Sequence, residues 1–150
     1  MKKFSITHGF TLIELLVVIA VIGVLAAGVF TAINPLKRIQ QANDAKIKND
    51  IGQIAQAEQA YFTTNQSYTV LVADLVTSKD LKVEPKIPPA GNVPYTIVKS
   101  PGSCTTAAKD CTEIAIYGAL NDPLVAANVW CWRSSSGVAA ETTVALCTAP

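Results

Sequence analysis

The feature that leaves the fewest options is a run of 24 residues, Phe10 to Ile33, whose only charged side chain is Glu14 and whose only other polar side chains are Thr11 and Thr31. As a helix rising 1.5 Å per residue it would be roughly 36 Å long, against about 30 Å for the hydrocarbon core of a bilayer. A secretory signal peptide carries an apolar region of only about 7 to 15 residues, so the run is too long for one. A buried core helix is disfavoured as well, because a chain of 150 residues has no interior wide enough to cover such a segment on every side. Lipid or neighbouring subunits are left to cover it.

The rest of the composition removes other options. With 15% charged residues, a formal net charge of +1 and half its residues apolar, the chain lacks the concentrated basic surface of a nucleic-acid binder and the high charge of a disordered one. No nucleic-acid site is expected. The only histidine is His8, so imidazole acid-base chemistry would have to come from the extreme terminus. Lys2 and Lys3 before the apolar run favour a cytoplasmic amino terminus, while Lys37 and Arg38 after it pull the other way. The cysteines decide the orientation: Cys104, Cys111, Cys131 and Cys147 all lie in the last third, an even number suited to disulfides in an oxidising compartment. No pair has CxxC spacing and no histidine is near, so neither metal nor cofactor is expected there.

Glu14 needs an explanation. A carboxylate near the centre of a bilayer costs about 2.5–3.5 kcal/mol on insertion scales, less near an interface, and such a group usually has a partner. It sits in the stretch Gly9-Phe10-Thr11-Leu12-Ile13-Glu14, after a short basic leader, Met1 to His8, and before an unbroken hydrophobic run. Leader, motif and apolar helix together resemble the type IV pilin family, which includes the pseudopilins of type II secretion and DNA-uptake machines, and the resemblance extends from Gly9 to about Thr64. It implies that a membrane-embedded prepilin peptidase cuts between Gly9 and Phe10 and that the new terminal amine of Phe10 is N-methylated. It also implies that Glu14 pairs with the terminal amine of a neighbouring subunit during assembly. The implied pairing is physically sensible: a buried carboxylate and a buried ammonium each cost several kcal/mol alone, so a subunit docked in the wrong axial register leaves both unpaired. Cleavage would remove two lysines and the only histidine.

Asn34-Pro35 interrupts the helical pattern after the apolar run. Proline has no amide hydrogen and crowds the carbonyl four residues back, and Gly23 and Gly28 lower helix propensity upstream. The stretch from Gly23 to Pro35 is therefore expected to be the soft part of the helix; related pilins can lose helical order here on assembly, though the glycines could equally serve close helix packing. Beyond Pro35 the apolar residues Leu36, Ile39, Ile47, Ile51, Ile54, Tyr61 and Phe62 recur near multiples of 3.6, giving an amphipathic helix. The two parts together would make one helix from Phe10 to Thr64, roughly 80 Å long. Asn65-Gln66-Ser67 stops it and is also a glycosylation sequon, a weak sign of modification by itself.

Leu71, Leu75 and Val76 suggest a short helical turn, and Pro85, Pro88, Pro89, Gly91 and Pro94 rule out a long regular element after it. Strands are expected at Tyr95–Lys99, Glu113–Leu120 and Asn128–Arg133, with a weaker fourth at Thr142–Leu146. They form an antiparallel meander whose apolar face packs on the Ile47, Ile51, Ile54 and Tyr61 side of the helix, with Trp130 and Trp132 in a core or sheet-covering role. The fold class is α+β, a long amino-terminal helix packed on an antiparallel sheet, as the pilin resemblance also implies. The divisions are a leader (1–9), a membrane and assembly helix (10–34), an amphipathic helix (35–64) and a globular head (65–150). Four cysteines allow three pairings; Cys104 with Cys111 and Cys131 with Cys147 is expected because each closes a short loop, and the resemblance implies a bond like the second near the end of the chain.

Three functions compete. The first is the structural subunit of a type IV pilus, held in the inner membrane as a precursor and then assembled by the pilus machinery into an extracellular helical filament for adhesion, twitching motility or DNA uptake. The second is a pseudopilin of a secretion or competence machine, whose major members carry calcium-binding carboxylates near the carboxyl terminus; here the last 28 residues hold only Glu141. The third, a membrane-anchored enzyme, has no phosphate loop, nucleophile motif or close acidic pair to support it.

Overall fold

The computed structural model describes residues 9–86 and 95–148. The basic leader before Gly9, with Lys2, Lys3 and His8, and the prolines and glycine from Pro88 to Pro94 lie outside the described residues. The chain divides into two compact units at Arg38/Ile39.

The first unit contains helix α1, Leu12–Ile33. Thr11 caps it in an extended conformation, φ −84° and ψ 148°. The helix runs without interruption through Gly23 and Gly28, and its apolar side chains from Leu12 to Val29 are all exposed. The single helix expected over Phe10–Thr64 is instead two, α1 and α2 (Pro35–Asn65), divided at Asn34, whose backbone is left-handed at φ 44° and ψ 76°. Pro35 acts through its predecessor. Its ring disfavours the right-handed helical region for the residue before it, asparagine tolerates the left-handed one, and proline itself suits the first position of the next helix.

The second unit is built on the rest of α2. Ile47, Ile51 and Ile54 on one face of that helix join Ile114, Ile116 and Trp132 of the sheet in one buried cluster, with Tyr61, Tyr95, Ile97 and Trp130 packed around it. The sheet has four antiparallel strands in sequence order: β1 (Thr96–Ser100), β2 (Glu113–Ala119), β3 (Val129–Arg133) and β4 (Ala139–Thr142). Ile97, Ile116, Trp132 and Ala139 lie opposite one another across it and form the row that faces α2. Alternation with period two sends Ala115 and Cys131 to the other face, where they cluster with Val129, Cys147 and Tyr117. Gly118 lets helix and sheet approach: a Cβ there would sit 3.0 Å from Ile47 Cγ2 and 3.2 Å from Tyr95 Cδ1. A short helix α3, Val72–Thr77, forms where a helical turn is expected, with Leu75 fully buried.

The weaker strand expected at Thr142–Leu146 is a correction. Strand β4 ends at Thr142 and Val144–Thr148 is helix α4. The turn after β3 closes tightly, with Gly137 at φ 67° and its amide donating to the Arg133 carbonyl at 2.9 Å, so pairing starts earlier, at Ala139 opposite Trp132. Thr143 Oγ1 then accepts the Leu146 amide at 3.3 Å and starts a helical turn, which returns Cys147 to Cys131 on the far face of the sheet.

Two disulfides hold the edges of this unit. Cys104 is bonded to Cys111, seven residues on, and Cys131 to Cys147, sixteen residues on. All four cysteines are buried and none is free.

Candidate assembly and processing site

The expected site residues begin at the start of α1. Gly9 and Phe10 precede the cap, and both are exposed. Thr11 and Glu14 form a reciprocal capping box: Thr11 Oγ1 accepts the Glu14 amide at 3.3 Å, while Glu14 Oε2 accepts the Thr11 amide at 3.0 Å and the Thr11 hydroxyl at 2.8 Å. The sequence carries the signal as Thr-x-x-Glu before an apolar run, and sequence reasoning on Glu14 alone passed over Thr11. The box satisfies amides that a helix start otherwise leaves open, and it holds the carboxylate at the positive end of the helix dipole. Glu14 lies in a shallow apolar groove formed with Phe10, Ile13, Val17 and Val18. The window Leu12–Val29 has a mean hydropathy of 2.8 and is long and apolar enough to cross a membrane.

The remaining expected residues take other places. Gly23 and Gly28 lie inside α1, each with no non-neighbouring atom within 4 Å of where a Cβ would stand. Pro35 opens α2, and Asn34 Oδ1 accepts the Lys37 amide at 3.4 Å. The sequon is folded in: Asn65 Nδ2 donates to the Tyr61 carbonyl at 3.2 Å, and the buried Ser67 Oγ accepts the Cys111 amide at 3.2 Å.

Three buried carboxylates were not singled out by sequence reasoning. Asp44 accepts the Asn121 and Asp122 amides and Asn121 Nδ2 at 2.6, 2.8 and 2.9 Å, fixing the start of the β2–β3 loop to α2. At the far side of that loop the half-buried Glu141 Oε1 accepts the Leu124 amide at 2.6 Å and Asn128 Nδ2 at 3.2 Å. Asp50 accepts from the Tyr95 hydroxyl and from Lys46. Glu58 is fully buried; its Oε2 takes the Thr69 amide at 3.1 Å and its Oε1 has no hydrogen-bond partner. Their signal, a charge at a core position of the α2 pattern, could have been found by projecting residues 44, 47, 51, 54 and 58 onto one helix face.

Of the two tryptophans, Trp132 is buried on the helix side of the sheet. Trp130 is half-buried with Lys48 Nζ 4.6 Å above its ring, a cation–π contact between sheet and helix.

Comparison with known proteins agrees with this arrangement. The family model of the prokaryotic N-terminal methylation motif matches residues 5–30. Over 92 residues the chain is 38% identical to the type IV wide pilus major component PilA4 of Thermus thermophilus, an alignment covering 61% of this chain and 64% of that one. A methylation motif ahead of an apolar helix and this relative make the chain similar to type IV pilins, and a second helix packed on a four-stranded antiparallel sheet completes a pilin-like α+β fold.

Proposed function

We propose that the chain is the structural subunit of an extracellular type IV pilus, cut between Gly9 and Phe10 by a prepilin peptidase, N-methylated at Phe10, and polymerised from the inner membrane into a helical filament by the pilus assembly machinery. The role is mechanical, with no catalysis of its own. The observation that carries the reading is the start of α1, where a single carboxylate, Glu14, sits one turn from the proposed cleavage position on a helix whose apolar side chains from Leu12 to Val29 are all exposed. Such a surface is covered first by lipid and then by copies of itself, and a repeated heterologous contact that does not close produces a helix of subunits. The name of the Thermus relative, a wide pilus major component, and the two disulfides support a pilus over a secretion pseudopilus. Glu141, the one carboxylate of the last 28 residues, is engaged with the β2–β3 loop.

The role of Glu14 is tested by Glu14→Ala in cells lacking the native chain. Sheared surface material is examined by electron microscopy and its amino terminus by mass spectrometry. The expected result is fibres whose subunits begin at methylated Phe10 for the native chain, and membrane-held, processed monomer without fibres for the variant. Fibres of equal yield from the variant, or a product that begins at Met1, would overturn the reading.

A further inference from the structure

The buried Glu58 lies where three segments meet, away from the sheet's disulfide to α4. Its Oε2 accepts the Thr69 amide, and Thr69 Oγ1 in turn donates to Asp74 Oδ2 of α3 at 2.8 Å and lies 3.3 Å from Thr106 Oγ1 in the Cys104–Cys111 loop. The Val70 amide donates to the same Thr106 hydroxyl at 3.2 Å, and the Tyr68 amide to the Cys111 carbonyl at 2.9 Å. The corner thus joins the Ser67–Leu71 segment, α3 and the disulfide loop by bonds of their own, and the Glu58 carboxyl group ties that network to α2 at Thr69.

Among the described residues no cation answers that group. The charged and titratable groups that face it are Asp74 on α3 and Asp80 just after it, with the phenols of Tyr61 on α2 and Tyr68 on the connecting segment. Burial, followed in smaller measure by repulsion from Asp74 and Asp80, pushes the Glu58 carboxyl up to about 8, while the Thr69 amide works in the opposite direction. The geometry says the same independently: a fully buried carboxylate with one oxygen unpartnered, beside two more carboxylates, is an arrangement that proteins resolve by keeping a proton.

We propose that Glu58 is a proton-operated latch, which holds the Ser67–Leu71 segment, α3 and the Cys104–Cys111 loop against α2 while it is neutral and releases that corner, with the sheet still folded, when its proton passes to solvent. The sheet is held by its own strand pairing and by the Cys131–Cys147 bond, none of which runs through Glu58. The latch is independent of filament formation, so its failure would leave the pilin reading standing.

The test is amide hydrogen exchange on the full-length chain in detergent micelles at pH 6 and pH 9, with rates corrected for intrinsic pH dependence. The native chain should lose at least tenfold protection at pH 9 over Tyr68–Leu71 and α3, with β2 and β3 unchanged. Glu58→Gln, whose amide oxygen can still accept the Thr69 N–H and whose charge is fixed at zero, should keep its protection at both pH values. Equal protection of the native corner at both pH values, loss that includes the sheet, or the same loss in Glu58→Gln would each overturn the latch. Should Glu58→Gln not fold, carbon-13 NMR of the native carboxyl decides: a midpoint well above the ordinary glutamate range supports the latch, and an ordinary one rejects it.

Discussion

Asp44 on α2 and Asn121 in the β2–β3 loop, 77 residues apart, are joined by two hydrogen bonds to one carboxylate oxygen, from the Asn121 amide at 2.6 Å and from its side-chain Nδ2 at 2.9 Å. The other oxygen takes the Asp122 amide at 2.8 Å. Asp44→Ala leaves these donors without their acceptor, and hydrogen bonds to a charged group contribute more than neutral ones, so a loss of about 2–4 kcal/mol is expected. Chemical denaturation of the full chain in detergent checks it, and Asp44→Asn, which keeps one acceptor oxygen, should lose less.

Gly118 admits α2 to the sheet. Adding a methyl group would bring it within 3.0 Å of Ile47 Cγ2, 3.2 Å of Tyr95 Cδ1 and 3.3 Å of Ile51 Cδ1. Ile51 is fully buried. Gly118→Ala should therefore cost about 1–3 kcal/mol by overpacking, and Gly118→Val more. A stable Gly118→Val chain with an unchanged melting temperature would contradict this account of the interface.

The disulfides should differ in their contribution. On chain-entropy grounds the loop of separation 16 is worth about 3 kcal/mol and the loop of separation 7 about 2.5 kcal/mol. Removing Cys131–Cys147 as a serine pair should lower the melting temperature slightly more than removing Cys104–Cys111. It should also free α4, detectable as new exchange at the main-chain amide of position 147, which in the native chain donates to the Thr143 carbonyl at 3.0 Å.

Stability should fall with rising pH through the range set by Glu58. Its folded-state value near 8 lies above the ordinary 4.5, so between those two the folded chain holds a proton that the unfolded chain has lost. The stability linked to that proton is fully present below about pH 4.5 and is lost as pH rises through about 8. The slope in between is at most about 1.4 kcal/mol per pH unit. Melting curves of the native chain and Glu58→Gln from pH 5 to pH 9 should converge at the acid end and separate at the alkaline end, the variant being the more stable there.

Much of this was legible in the sequence because it depends on local pattern. The apolar run fixed α1, the 3.6-residue spacing of Ile47, Ile51 and Ile54 fixed the buried face of α2, and three strands were expected within a residue or two of where they form. What failed was set by distant partners. Thr142–Leu146 reads as strand until the reach from Cys147 to Cys131 is imposed on it. Asp44 and Glu58 look like ordinary polar residues of an amphipathic helix, and only the folded sheet and the Ser67–Leu71 segment supply the amides that let them be buried.

The β2–β3 loop is gripped through its main chain. Asp44 and Glu141 bind the amides of Asn121, Asp122, Leu124 and Val125, and Leu124 leaves its side chain 89% exposed. A main-chain amide is the same on every residue but proline, so side chains at the tip of this loop are free to vary while the two carboxylates keep its outline constant.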